Sequence, residues 1–296
     1  MIMQKNNPWI GVGTSGEWIS VSEALYDSGL AFNVNQEDCY TREGHIIPGL
    51  AVNRKSYDGT ILGYTSNRYG VIQNYEAFSM LNPFIKAGGR IIQAGQTANG
   101  MMFMVLKLNM LTVLGDDYEL YVFVTNSFNR AYPCSLIMTP IRIICQNMYR
   151  NIVKDTIFTV RHNGLANNRI VSASDAIDVS LTYANSFEDR VKSLYNTYIG
   201  EAYESKFVEK LFPYKDQSIM TERMKLDIDT QRELFISQYF NAEDNLKYHG
   251  TKLGLINAYY DWVTHASPQR MTMNFDSRRL AGLISGEAID KKLLNL

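Results

Sequence analysis

The sequence predicts an α+β protein, with an antiparallel β-meander sheet and flanking helices in the N-terminal half and a mostly helical C-terminal half. Three observations predict this. Four strand-like runs follow one another between residues 90 and 145, separated only by short turn signals. An Asp-Gly dipeptide lies between two alternating runs at 49 to 66, as a tight hairpin requires. Beyond residue 174 the apolar residues recur every three or four positions rather than every two.

Taken in order, SVSEALYDSGL at 20 to 30 predicts a first helix, with Ser20 as its cap, Val21, Ala24 and Leu25 on one face, and Gly29 as its stop. GLAVNRKSYDGTILGYTS folds back on itself at Asp58-Gly59. NYEAFSMLNPFIKAGG, 74 to 89, aligns Ala77, Phe78, Leu81 and Ile85 on one helical face and stops at Gly88-Gly89. The meander then runs through RIIQAGQT, GMMFMVLKLN, YELYVFVTNSF and YPCSLIMTPIRIIC, with turns at Asn99-Gly100, Gly115-Asp116-Asp117 and Asn129-Arg130. After Gln146-Asn147 a helix is expected to run through Met148 and Ile152 towards Val153. A composition shift at 161 to 174 places a boundary between a sheet domain, residues 1–165, and a helical region packed on it, residues 166–296. In that region Ile177, Leu181, Ala184, Phe187, Val191, Leu194 and Tyr198 outline one helix, and Leu253, Ile256, Tyr260 and Val263 another. Ser285 is the expected cap of a closing helix in SGEAIDKKLLNL.

Composition narrows the function classes. A chain of 296 residues with 46% hydrophobic and 20% charged residues can bury a full core and is neither disordered nor a membrane protein by composition. Its net charge of -1 gives no bulk attraction to polyanions, so any nucleic-acid site must come from local clustering. Cys39, Cys134 and Cys145 show no paired spacing, and MIMQKNNPWI lacks the apolar stretch of a secretory leader, so a reducing cytoplasm is expected. The longest apolar run, 101 to 114, is broken by Lys107 and Asn109 and is too short to span a bilayer.

Several motifs invite chemistry and are outweighed by their contexts. GVGTSG, 11 to 16, matches the dinucleotide fingerprint with Glu37 or Asp38 downstream, but neither a buried strand precedes it nor a helix opens on it, so a glycine-rich turn is expected. Asp116-Asp117 resembles a two-metal carboxylate pair without a third acid nearby, and reads as a solvated turn. Asp261 and His265, spaced i and i+4, would suit a metal, yet no histidine cluster accompanies them. HGTKLG, 249 to 254, lacks the ending of a phosphate loop. Cys145 would need His162 beside it to act as a nucleophile, and a small buried thiol is the simpler expectation. No catalytic residue, metal or cofactor is assigned, and an enzyme is the least favoured class.

One feature exceeds background. Between residues 86 and 170 nine basic residues face only four acidic ones. The expectation is an anion-binding surface formed by Arg90, Lys107, Arg130, Arg142, Arg150, Lys154 and Arg161, with Gln146 and Asn147 hydrogen-bonding at a helix start and Tyr69 stacking on a base. The alternative is structural: Arg142 pairs with an acid while Gln146 and Asn147 satisfy backbone groups at the end of the sheet.

The phrases PWIGVGT (8 to 14), SEALYDSGLAFNV (22 to 34), NRKSYDGTILG (53 to 63), RYGVIQNYEAF (68 to 78), GDDYELYVFVTNSF (115 to 128), TPIRIICQNMYRN (139 to 151) and RHN (161 to 163) resemble, in order, the phage/plasmid-like proteins of domain-of-unknown-function family 932. GTKLGLINAYYDWVTH, 250 to 265, is a weaker echo. The chain departs from the pattern at Met148-Tyr149 and at Phe128-Asn129-Arg130. The resemblance implies a phage, prophage or plasmid origin and a cytoplasmic location in a bacterial host, and carries no catalytic residue over. The element order also looks like that of phage single-strand annealing proteins, an analogy of fold alone. Two functions are therefore expected in competition. One is a homo-oligomeric nucleic-acid-binding protein of replication or recombination that takes single-stranded DNA. The other is an interaction protein that inhibits a host defence or enzyme complex, with a host protein as partner. Neither involves the membrane.

Overall fold

The computed structural model describes residues 8–9, 11–153, 158–160, 174–216, 218–266, 274–289 and 293. A seven-stranded sheet organises it, in the order β1 (Thr14–Trp18), β5 (Arg90–Gln96), β6 (Met102–Val113), β7 (Asp116–Asn126), β8 (Cys134–Arg142) and β10 (Phe158–Val160), with β9 (Asn147–Met148) also paired to β8. Every pairing is antiparallel. A second sheet of β2 (Val34–Tyr40), β3 (Ile46–Lys55) and β4 (Ile61–Ser66) stands beside it. The α+β expectation holds.

Both faces of the main sheet are covered, which is why all nine residues of β8 are buried. Side chains alternate along a strand, and on β7 one face sends Tyr118 edge-on against Phe187 of helix α4 (Ser174–Tyr195). The other face presents Tyr121 and Phe123 to the ring of Trp9. Helix α7 (Lys252–His265) is buried continuously from Leu253 to Asp261 and packs against β9, α4, α6 (Glu222–Asn241) and α8 (Phe275–Ser285). Helix α5 (Glu201–Leu211) joins this layer through Phe207, stacked on Phe235 of α6. One continuous core draws side chains from the sheet and from the helices alike. Among the described residues, no helix is long and apolar enough to cross a membrane.

Helix α1 (Val21–Asp27) starts where Ser20 Oγ accepts the Glu23 N–H and ends before Gly29, whose φ of 70° closes it. The periodicity of 74 to 89 instead yields two short helices, α2 (Asn74–Phe78) and α3 (Asn82–Lys86), joined by a 3-10 turn, because Pro83 cannot donate its backbone hydrogen to a continuous helix. Ser285 ends α8 rather than opening a helix, and Gly286, at φ 80°, terminates it. The boundary expected at 161 to 174 lies, up to residue 173, outside the described residues.

The glycine-rich turn leads into an edge strand. Gly13, at φ 78°, brings the chain against β5 so closely that a Cβ there would collide with Ala94 O, and a Cβ on Gly95 would sit 2.5 Å from Gly13 Cα. Gly13 and Gly95 serve this backbone contact. Gly13→Ala should therefore cost more than about 2 kcal/mol, from positive φ and collision together, whereas Gly11→Ala, at positive φ but in open space, should cost about 1 kcal/mol. Urea unfolding of the two variants checks this, and equal losses would remove the close approach as the cause.

Candidate functional site at the end of the sheet

Strands β7 and β8 place their polar ends side by side, with Tyr118 opposite Arg142. The hairpin between β6 and β7 turns on Leu114 and Gly115, both at positive φ, so Asp116 is the first ladder residue and points inward. The expected solvated turn at Asp116-Asp117 is thus half right: Asp117 is exposed and accepts a bond from Thr112 Oγ1 at 2.7 Å, while Asp116 is buried. Arg142, with no exposed surface, donates to Asp116 Oδ2 at 2.6 Å, to Asp244 Oδ2 at 3.2 Å and to Asp244 O at 2.7 Å. Asp116 is held in turn by Lys247 Nζ at 2.6 Å and by the Tyr248 hydroxyl. Two carboxylates and two cations close a neutral cluster, the arrangement that makes buried charge tolerable. The loop that follows α6 is thereby tied to the sheet.

The chain then makes a tight turn where a helix was expected. Gln146 takes φ 54° and its N–H bonds Arg142 O at 2.8 Å, so β9 runs back along β8, pairing Met148 with Ile141 and Asn147 with Arg142. A left-handed residue at that point prevents a right-handed helix from starting. With its amide oriented to suit its surroundings, buried Asn147 donates to Asp261 Oδ1 at 2.9 Å and to Cys145 O at 3.2 Å. His265 Nε2 lies 2.9 Å from the same carbonyl and 3.2 Å from the Asn147 amide nitrogen. Asp261 and His265 thus grip the turn from α7, and among the described residues no group of acidic, histidine or cysteine side chains could hold a metal. Tyr149 donates to Asn257 Oδ1 at 2.9 Å, Asn257 to Asn245 Oδ1 at 3.1 Å, and Asn245 to Gly254 O at 2.9 Å. Strand, helix and loop are bound into one network.

Four of the ten residues of the expected anion-binding set, Tyr69, Arg142, Asn147 and Arg150, are therefore buried. Arg142 is neutralised by carboxylates in the core, and Asn147 is buried against α7. Arg150 is buried too, its Nε donating to Ile284 O at 3.1 Å to cap the end of α8. Lys107 pairs with Glu119 at 2.5 Å. Tyr69 is buried and donates to Ser127 O at 2.7 Å, so it offers no ring for a base. Gln146 donates to Ile143 O at 2.8 Å within its own turn. Arg90 and Arg130 remain on the surface, at different ends of the sheet. Lys154 and Arg161, with His162, lie outside the described residues. The partners that the sequence did not mark are Asp244, Asn245, Lys247, Tyr248 and Asn257, all about a hundred residues downstream.

Cys145 is buried, and its thiol is pushed up to about 12 by desolvation, although Arg142 pulls it the other way. It stays protonated and inert at neutral pH. A thiol reagent at pH 8 should label half-buried Cys39 in the native protein and leave Cys145 and Cys134 unmodified until denaturant is added, read by mass spectrometry of the labelled peptides. Arg142→Ala, which removes the guanidinium from Asp244 and leaves buried Asp116 with only Lys247 and Tyr248, should destabilise by about 3–5 kcal/mol in urea unfolding. A loss under about 1 kcal/mol would show that the cluster does not anchor the helical layer.

No curated protein and no solved structure matches the chain. The family described as a domain of unknown function, DUF932, matches residues 61–283, a span that takes in both β8 with its turn and the helices that clasp it. The match runs from β4 into α8, three quarters of the sequence, and the chain belongs to the domain-of-unknown-function family 932.

Proposed function

We propose that the chain is a phage- or plasmid-encoded interaction protein that occupies the surface of a host protein complex. The observation that carries this reading is the β2–β3 hairpin, whose far end stands clear of the body. Residues 40–46 are all exposed, and Tyr40 and Ile46, directly opposed across the two strands, keep 59% and 54% of their surface open. The loop between them is closed by bonds from Thr41 N–H to His45 O and from Gly44 N–H to Thr41 O, so the pair is held on ordered backbone.

An aromatic and an aliphatic side chain presented together is the composition of an interface centre. Charge selects the partner. Around the tip, from Asp38 to Ile46, Asp38 and Glu43 outnumber Arg42, and farther along the arm Arg54 is paired with Glu37 at 3.4 Å. Such a rim repels a phosphate backbone and suits an apolar pocket edged by basic residues. The burial of Arg142, Asn147, Arg150 and Tyr69 weighs in the same direction, because it withdraws those groups from any phosphate track.

The test is capture from nuclease-treated host lysate on immobilised chain, beside a Tyr40→Ser/Ile46→Ser variant. The expected result is one stoichiometric protein retained by the wild type and lost, about tenfold or more, by the variant, whose thermal midpoint stays unchanged because both side chains are exposed. Retention that survives the double substitution, or that nuclease abolishes, overturns the reading. So does light scattering that finds the hairpin engaged by a second copy of the chain.

A further inference from the structure

The opposite end of the same three-stranded sheet carries a different surface. Its inner face rests on the turn between β7 and β8: Asn53 Nδ2 donates to Phe128 O at 2.8 Å, and Gly63, opposite Asn53 on β4, leaves only enough room for Asn129, since a Cβ there would come within 2.5 Å of it. Lys55 lies two residues along β3 from Asn53 and so projects to the same side. Its ammonium sits 4.5 Å from the centre of the Phe32 ring and 5.8 Å from that of Tyr57. Phe32 in turn packs on Phe128 at 6.2 Å, and Arg130 follows Phe128 by two residues, exposed and at φ 66°. Lys55 thus lies over the outer ring of the buried Phe32–Phe128 pair, Arg130 is exposed on the turn that carries Phe128, and Tyr57 is open beside Lys55 at 69% exposure.

We infer that this Lys55–Tyr57–Arg130 surface is a binding site for single-stranded nucleic acid. Neither cation has a carboxylate partner within ion-pairing distance among the described residues. Asp58, which feels the Lys55 charge, accepts from the Thr60 N–H at 2.9 Å within its own turn. Lys55 is held in place by the ring beneath it, so little side-chain freedom is lost when it meets a phosphate. Tyr57, on a tight turn whose Gly59 takes φ 71°, keeps 69% of its surface open with the Lys55 ammonium 5.8 Å from its ring, and an unpaired base can stack on its exposed side. Stacking requires the base to be free of a partner strand, which selects single strands over duplex. This inference does not depend on the hairpin tip, and its variants leave Tyr40 and Ile46 untouched.

The experiment is fluorescence anisotropy with a labelled single-stranded DNA of about 20 nucleotides and a duplex of the same length, across a salt series starting near 50 mM. The full chain is compared with Lys55→Glu/Arg130→Glu, Tyr57→Ala and, as a control, Arg90→Glu, which reverses an exposed charge at the far end of β5. The wild type should prefer the single strand. The double charge reversal should weaken binding at least about tenfold and flatten the slope of log affinity against log salt by about 1.4, the value for two lost phosphate contacts on a single strand. Tyr57→Ala should weaken it about fivefold or more with the slope preserved. Absence of binding at the lowest salt overturns the inference, as does equal affinity for duplex, or a loss in Arg90→Glu as large as in the double variant. Circular dichroism and thermal melting verify that each variant is folded, and Tyr57→Ala, which removes an exposed ring, gives an answer should the charge reversals melt.

Discussion

A guanidinium with no exposed surface, closed between Asp116 and Asp244, is the constraint on which the architecture depends. Removing a charge from water is expensive, and the expense is offset only when the counter-charges are held in place from several directions. Here they come from the first residue of β7 and from the loop after α6, with Lys247 and Tyr248 completing the shell of Asp116. The geometry that satisfies Arg142 is also the geometry that seats α7 against β9. Sheet and helices share one core because they share this charge.

The regular elements were legible where a periodic pattern met a clear stop signal. Helix α1 has its serine cap and glycine stop, and α7 keeps its apolar residues at helical spacing. Strands β5 to β8 alternate with turns whose residues tolerate positive φ. Strand β2 escaped notice because VNQEDCY carries too few apolar side chains, its pairing with β3 being a backbone matter. The helix expected after Asn147 failed on one residue: Gln146 adopts a left-handed conformation that composition does not announce, and the chain returns as β9.

The local excess of positive charge was real in the sequence and misleading about the surface. A count of charges along the chain cannot see that Arg142 meets a carboxylate 102 residues later, or that Arg150 closes the end of a helix formed after residue 275. Such partners are fixed by tertiary packing. The small sheet has two unlike ends, one carrying exposed Tyr40 and Ile46 and the other carrying Lys55 over the Phe32 ring.

The span of the Arg142 cluster also bears on how the polypeptide matures. During synthesis the meander leaves the ribosome well before residues 244 to 248 exist, so the nascent β7–β8 edge holds a charged side chain that has met only one of its eventual acidic neighbours. Until the downstream loop arrives, water must keep solvating that edge, and the sheet stays open there. Closure of that edge thus waits for residues 244 to 248.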